Sequence, residues 1–161
     1  MPFWKRDQSI KGPVVQQGTA LHYAAFCGLS EIVKVLAIEN PEDVDSWSFD
    51  EESRPLHLAS REGHVEVAQV LIEHGADLAA QTKDGSTPLH WASERGHVEV
   101  VRLLIEHGAD LAAQTKDGWT PLHGASEWGH VEVAQLLEHE TKAAAITETS
   151  YLHSGEPLSL E

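Results

Sequence analysis

Residues 83–115 read KDGSTPLHWASERGHVEVVRLLIEHGADLAAQT, and much of that string occurs twice. Residues 63–85 and 96–118 are identical except at the aligned pairs 68/101, 69/102 and 70/103. The tetrad Thr87-Pro88-Leu89-His90 returns 33 residues later as Thr120-Pro121-Leu122-His123. It stands 33 residues earlier as Arg54-Pro55-Leu56-His57, and 35 before that as Thr19-Ala20-Leu21-His22. Four copies at a period near 33 indicate a stacked repeat array, in which each unit covers its neighbour's apolar face.

Each unit reads as a helix pair. Thr87 is a good N-cap, because its hydroxyl accepts from an orphan backbone donor. Pro88 follows at the first helical position, where a missing N–H costs nothing. The first helix runs to about Arg95, and Gly96 supplies the left-handed residue that stops it. The second runs from about Val98 to His107. Its polar residues Glu99, Arg102 and Glu106 form one narrow stripe, and the remainder is apolar. Glu99 and Arg102 are spaced to pair along that stripe. Gly108 ends the helix, and the turn-rich residues 110–118 close with Asp117-Gly118, suited to a hairpin tip. Period and patterning therefore give an all-α solenoid of four helix-turn-helix units with hairpin-like loops.

The string TPLHWASERGHVEVVRLLIEHGADLAAQTKDG resembles the ankyrin repeat, and the resemblance covers residues 18–139. It implies an ankyrin-repeat solenoid that binds another protein through its hairpin tips and short inner helices. Carried onto this chain, the tip positions are Lys83, Asp84, Ser86, Lys116, Asp117 and Trp119, with Ser53 in repeat two. The inner-helix positions are Arg61, Glu62, Glu94, Arg95, Glu127 and Trp128, with Phe26 and Cys27 in repeat one. These positions vary between copies while the framework does not: Ser86 becomes Trp119, and Arg95 becomes Trp128. Tryptophan and arginine are the side chains most often found at interface hot spots. Trp91 follows a tetrad histidine and is expected to point into the stack.

The chain of 161 residues carries 26 acids against 11 Lys and Arg, a formal charge of −15. That balance argues against nucleic acid and anionic membrane surfaces, which demand clustered bases. A basic patch on a protein partner fits it better. The richest basic cluster is Lys5, Arg6 and Lys11. One cysteine, Cys27, excludes an internal disulfide framework. No 18-residue apolar run suggests a membrane span, and MPFWKRDQSIKGPVV at the start lacks a signal core. An intracellular protein, cytoplasmic or nuclear, and a monomer, is the expectation.

The irregular parts lie at the ends. Residues 1–16 form a leader without repeat pattern, in which Phe3 and Trp4 either fray or cap the first repeat. The repeats span 17–49, 50–82, 83–115 and 116–146. In repeat one Asn40-Pro41 replaces the glycine stop. Residues 39–52 then hold seven acids around Trp47 and Phe49. Either Trp47 folds back on the stack, or this loop is an acidic, aromatic lip for a basic partner. Arg54 stands where a threonine would cap, so the first helix of repeat two should start less firmly. After Leu137 repeat four is one residue short and lacks its glycine, so the last helix should run on through Ala145. Residues 147–161 read as a disordered tail.

Catalytic and metal chemistry find little support. The 11 histidines are mostly repeat positions: His22, His57, His90 and His123 in the tetrads, His64, His97 and His130 opening second helices, and His74, His107 and His139 closing them. In the family resembled, the tetrad histidine bonds backbone and the threonine side chain between neighbouring loops. Zinc needs ligands converging on one point, whereas these form ladders a repeat apart. No HExxH, CxxC, phosphate loop or GxSxG elbow is present, and no cation adjoins Cys27 to activate its thiol. The sequence thus indicates a non-catalytic interaction module without cofactor, whose partner is another protein. The alternatives are a stoichiometric inhibitor of an enzyme acting through the same face, or a fragment of a longer array.

Overall fold

The computed structural model describes residues 18–48 and 53–153. The helices are α1 (Ala20–Cys27), α2 (Ser30–Glu39), α3 (Pro55–Glu62), α4 (Val65–Glu73), α5 (Pro88–Arg95), α6 (Val98–Glu106), α7 (Pro121–Glu127) and α8 (Val131–His153). They form four antiparallel pairs, with no strand among the described residues. The short inner helices α1, α3, α5 and α7 stack in sequence, and α2, α4, α6 and α8 stack behind them. The inner helices pack more closely on one another than the outer helices do.

Three inner helices start at proline, and α5 and α7 carry the threonine cap, whose hydroxyl accepts from His90 N and His123 N. Gly96 ends α5 at φ 73°, and a Cβ there would lie 2.4 Å from His130 Nδ1. Glycine is therefore required both by the left-handed turn and by the close approach of the next repeat. The core is one continuous strip through the stack, including Leu21, Val33, Leu56, Leu71, Leu89, Val101, Leu104 and Leu137. Burial along α6 follows the pattern: Val100, Val101, Leu103 and Leu104 are covered while Glu99, Arg102 and Glu106 are exposed. Glu99 and Arg102 nevertheless form no ion pair; the exposed i, i+3 pair is Lys34–Glu31, at 2.6 Å.

The ends depart from the repeat. Leu58, Val67 and Val70 are buried in repeat two, but the matching Tyr23, Ile32 and Val35 of repeat one are 56%, 49% and 53% exposed. The leader with Phe3, Trp4, Lys5, Arg6 and Lys11, read above as either frayed or a cap on that face, lies outside the described residues. So do residues 49–52 and 154–161. At the other end α8 continues to His153, past Ala145 and into the segment expected to be a disordered tail. The reason is local. Nothing between Leu137 and His153 breaks a helix, and Thr141 and Thr147 return their hydroxyls to the carbonyls of Leu137 and Ala143 at 2.7 and 3.0 Å.

The long first loop is ordered. Asn40-Pro41 starts a 3-10 turn over Pro41–Asp45, and its Val44 is buried. Arg54, far from a mere missing cap, is the fastener of this turn. Its Nη1 donates to Asp45 at 2.5 Å and lies 3.8 Å from Asp77. Its guanidinium sits 4.5 Å over the Trp47 ring. Asp45 also accepts from Asp77 N at 3.1 Å. Arg54 Nε is buried without a partner, which offsets part of the gain. Asp45→Ala is expected to cost about 1–2 kcal/mol, a charge-assisted bond discounted for solvent screening. Urea unfolding beside Asp43→Ala checks it; equal midpoints would remove the fastener.

Candidate functional site

Two histidine ladders tie the repeats together and set the surface that remains. In each tetrad the histidine Nδ1 accepts from the backbone N–H three residues earlier, at 3.2 Å in repeat one (Thr19), 3.3 Å in two (Arg54), 3.2 Å in three (Thr87) and 3.1 Å in four (Thr120). Where threonine is present its hydroxyl adds a bond of 2.9–3.0 Å. Nε2–H then donates to the next loop: His57 to the carbonyls of Ala80 (3.1 Å) and Ser86 (3.2 Å), and His90 to that of Trp119 (2.9 Å). Burial lowers the pKa of His57 to about 4 against the raising effect of those carbonyls, and it lowers that of His90.

A second ladder was not assigned a role from the sequence. His64, His97 and His130 donate from Nε2 to the carbonyls of Phe26 (2.9 Å), Arg61 (2.8 Å) and Glu94 (3.0 Å), the last turns of the preceding inner helices. The recurrence of Gly-His at 63, 96 and 129 was the visible sign of it. His74 and His107 close their own helices on the carbonyls of Val70 and Leu103. Among the described residues no group of three His, Cys, Asp or Glu is placed to hold a metal ion.

The candidate binding residues separate into those that are presented and those that are spent. Lys83, Asp84, Lys116, Asp117 and Trp119 stand exposed on the two adjacent tips, which are joined by Lys116 N donating to the Asp84 carbonyl at 2.8 Å. The Asp84 carboxylate accepts from the Thr82 hydroxyl and from Ser86 Oγ (2.8 Å). Partial burial raises its pKa, but these bonds outweigh that and leave it below the ordinary value. Ser86 itself is buried, a correction to its place among the contact residues. Its hydroxyl and carbonyl both serve the loop, because the position needs a small hydrogen-bonding side chain where repeat four admits Trp119. Ser53, at the matching place in repeat two, is buried for the same reason.

On the inner helices Glu62, Arg95, Glu127 and Trp128 are exposed and Glu94 is half-buried. Arg61 pairs with Glu62 at 2.8 Å and lies between two rings, 5.6 Å from Phe26 and 5.4 Å from Trp91. Trp91 is therefore half-buried on the inner face rather than core, its ring edge against His57 at 5.3 Å. Trp47 is folded back on the stack, parallel to the His57 ring at 6.2 Å, and does not stand out as a lip. Trp119 and Trp128 are the tryptophans left open among the described residues, 42% and 67% exposed; the other open large aromatic, Tyr23, lies at the far end of the stack in repeat one. Charge is uneven. Arg61 and Arg95 nearly balance Glu62, Glu94 and Glu127 on the inner row, while the outer helices expose Glu31, Glu39, Glu66, Glu73, Glu99, Glu106, Glu132, Glu138 and Glu148 against Lys34, Arg102 and Lys142.

Comparison with known proteins bears on this geometry. The family model described as ankyrin repeats (3 copies) matches residues 6–82 and again 79–148. Protein phosphatase 1 regulatory subunit 12A of Mus musculus is 35% identical over 74 residues, 44% of this chain and 7% of that protein. Palmitoyltransferase ZDHHC13 of Homo sapiens and palmitoyltransferase ZDHHC17 of Rattus norvegicus are each 35% identical over 68 residues, 42% of this chain and 11% of theirs. The chain thus spans about a tenth or less of the length of these relatives. Among the described residues no helix is long and apolar enough to cross a membrane.

Proposed function

The chain belongs to the ankyrin repeat family, and from that premise we propose that it binds a partner protein on the inner face of repeats three and four, without catalysis. Ankyrin repeats are protein-interaction modules. The observation that carries the placement is the pair of open tryptophans, Trp119 and Trp128, at positions where the other copies have different side chains. Interface energy concentrates in such aromatic anchors and in arginine. Arg95, Lys116 and Asp117 flank them as the polar rim, with Arg61, Glu62, Lys83, Asp84, Glu94 and Glu127 extending the surface. No cofactor enters this reading, and the chain acts as a monomer inside the cell.

The test is affinity capture from a lysate of the source cell with the intact chain beside a Trp119→Ser/Trp128→Ser variant. The variant keeps its helical content and unfolding midpoint, since both side chains are surface-exposed, and is expected to lose at least about 2 kcal/mol of binding. Equal capture by both would move the site off repeat four.

A second reading draws on the regulatory subunit among the relatives: the same face blocks an enzyme stoichiometrically. It requires the captured partner to be an enzyme that loses activity at one equivalent of this chain.

A further inference from the structure

The fourth residue of the inner helix is bulky in three repeats, as Tyr23, Leu58 and Trp91, and absent as a side chain in the last, at Gly124. A Cβ at Gly124 would lie 2.8 Å from Glu94 Cγ. The glycine is what lets Glu94 lie across the face of α7. The consequence is a half-buried carboxylate. Burial first, and the charge of Asp84 second, raise its pKa, against a smaller lowering by Arg95. Among the described residues the carboxylate makes no hydrogen bond and no ion pair, and Arg95 acts on it only from a distance.

Beside it opens a cleft of about 440 Å³ lined by Glu94, Arg95, Trp128 and His130. A smaller one, about 260 Å³, is lined by Arg61, Trp91, Glu94 and Arg95. The two share Glu94 and Arg95 and differ in how their tryptophan is used. Trp91 already has a guanidinium near its ring, that of Arg61 at 5.4 Å. Trp128 has no ring or cation against it among the described residues. An indole face attracts a cation through its quadrupole, and a partly desolvated carboxylate attracts one more strongly than it would in bulk water.

The geometry points to the Glu94–Trp128 cleft as the receptor for one cationic side chain, lysine or arginine, of the partner segment that crosses the inner face. This rests on the inner face being the binding face. Arg95 opposes the cation from the cleft wall. The His130 Nε2–H is committed to the Glu94 carbonyl at 3.0 Å. Glu94, with Glu127 next to Trp128 and the field of Asp84, outweighs the one arginine. The role of Arg95 is then to reject a second adjacent cation and to favour an acidic or neutral neighbour, which gives the site selectivity among basic segments.

The test titrates the intact chain, at physiological salt, with N-acetyl-arginine amide, N-acetyl-lysine amide, N-acetyl-leucine amide and N-acetyl-glutamate, following the indole N–H resonance of Trp128. A cationic probe should give a saturable shift with a dissociation constant in the millimolar range. Glu94→Gln should weaken it by about fivefold or more, and Arg95→Gln should tighten it. An equal shift with the leucine amide would make the cleft an apolar groove. Tighter binding of the glutamate derivative would make Arg95 the receptor. Either result, or no saturable shift with any probe, overturns the inference. The probes need no partner, so partner capture without a probe shift discards this inference alone. A probe shift without capture keeps the cleft as a cation site and discards the proposed function, with it the assignment of the cation to a partner segment.

Discussion

Leu104→Ala is expected to destabilise the protein by about 2–5 kcal/mol, the range for a large-to-small change at a fully covered leucine. Leu104 has no exposed surface and belongs to the strip that runs through all four repeats. It sits on α6, which packs against α4 on one side and α8 on the other. A cavity there loosens two interfaces at once, and in a stack held only by nearest neighbours no distant contact compensates. Glu106→Ala, on the exposed stripe of the same helix, should stay within about 0.5 kcal/mol of the parent. Urea unfolding followed by circular dichroism compares them. Matching midpoints would refute the buried face assigned to α6.

Acid should unfold the chain earlier than its carboxylates alone would dictate. Burial lowers the pKa of His57 to about 4, below the ordinary imidazole value of 6.5, and lowers that of His90. Geometry gives the same sign, because Nδ1 of each accepts from backbone N–H and leaves no room for a second proton. A folded-state pKa below the unfolded value means the unfolded chain binds the proton first. The stability contributed by neutral His57 is therefore complete above about pH 6.5 and lost as pH falls toward 4, about 3 kcal/mol in all. His90 adds to the loss, and Asp84, whose pKa is lowered, adds further loss at lower pH. Glu94, whose pKa is raised, and the shrinking of the net charge from −15 work the other way. Unfolding free energies at a series of pH values, together with the imidazole resonances of His57, separate these effects. A His57 ring that titrates near 6.5 in the folded protein would contradict the account.

Much of this fold was legible because the repeat states its own boundaries. Pro55, Pro88 and Pro121 begin helices and Gly63 and Gly96 end them, as the tetrads and glycines indicate. What escaped had its partner in another repeat. Arg54 read as a missing cap, because its acids lie 9 and 23 positions away, at Asp45 and Asp77. The role of His64, His97 and His130 depends on carbonyls 36–38 residues earlier. Ser86 reads as a hairpin-tip contact from the resemblance to the family, whereas a small hydroxyl at that position turns inward to bond the loop. Trp91 was assigned to the core from its neighbour in sequence, but the inner row leaves that position half open. The glycine at 124 was visible throughout. That it makes room for Glu94 follows only from the packing of α5 against α7.

The most direct measurement of the central claim is site-specific photo-crosslinking in the source cell, with the photoreactive residue at Glu127 on the inner face or at Glu106 on the outer helix of repeat three. Both side chains are exposed and neither is among the tryptophans at issue. The account predicts a discrete partner joined from position 127 and none from position 106. A partner joined from 106 alone would place binding on the acidic outer surface and contradict it.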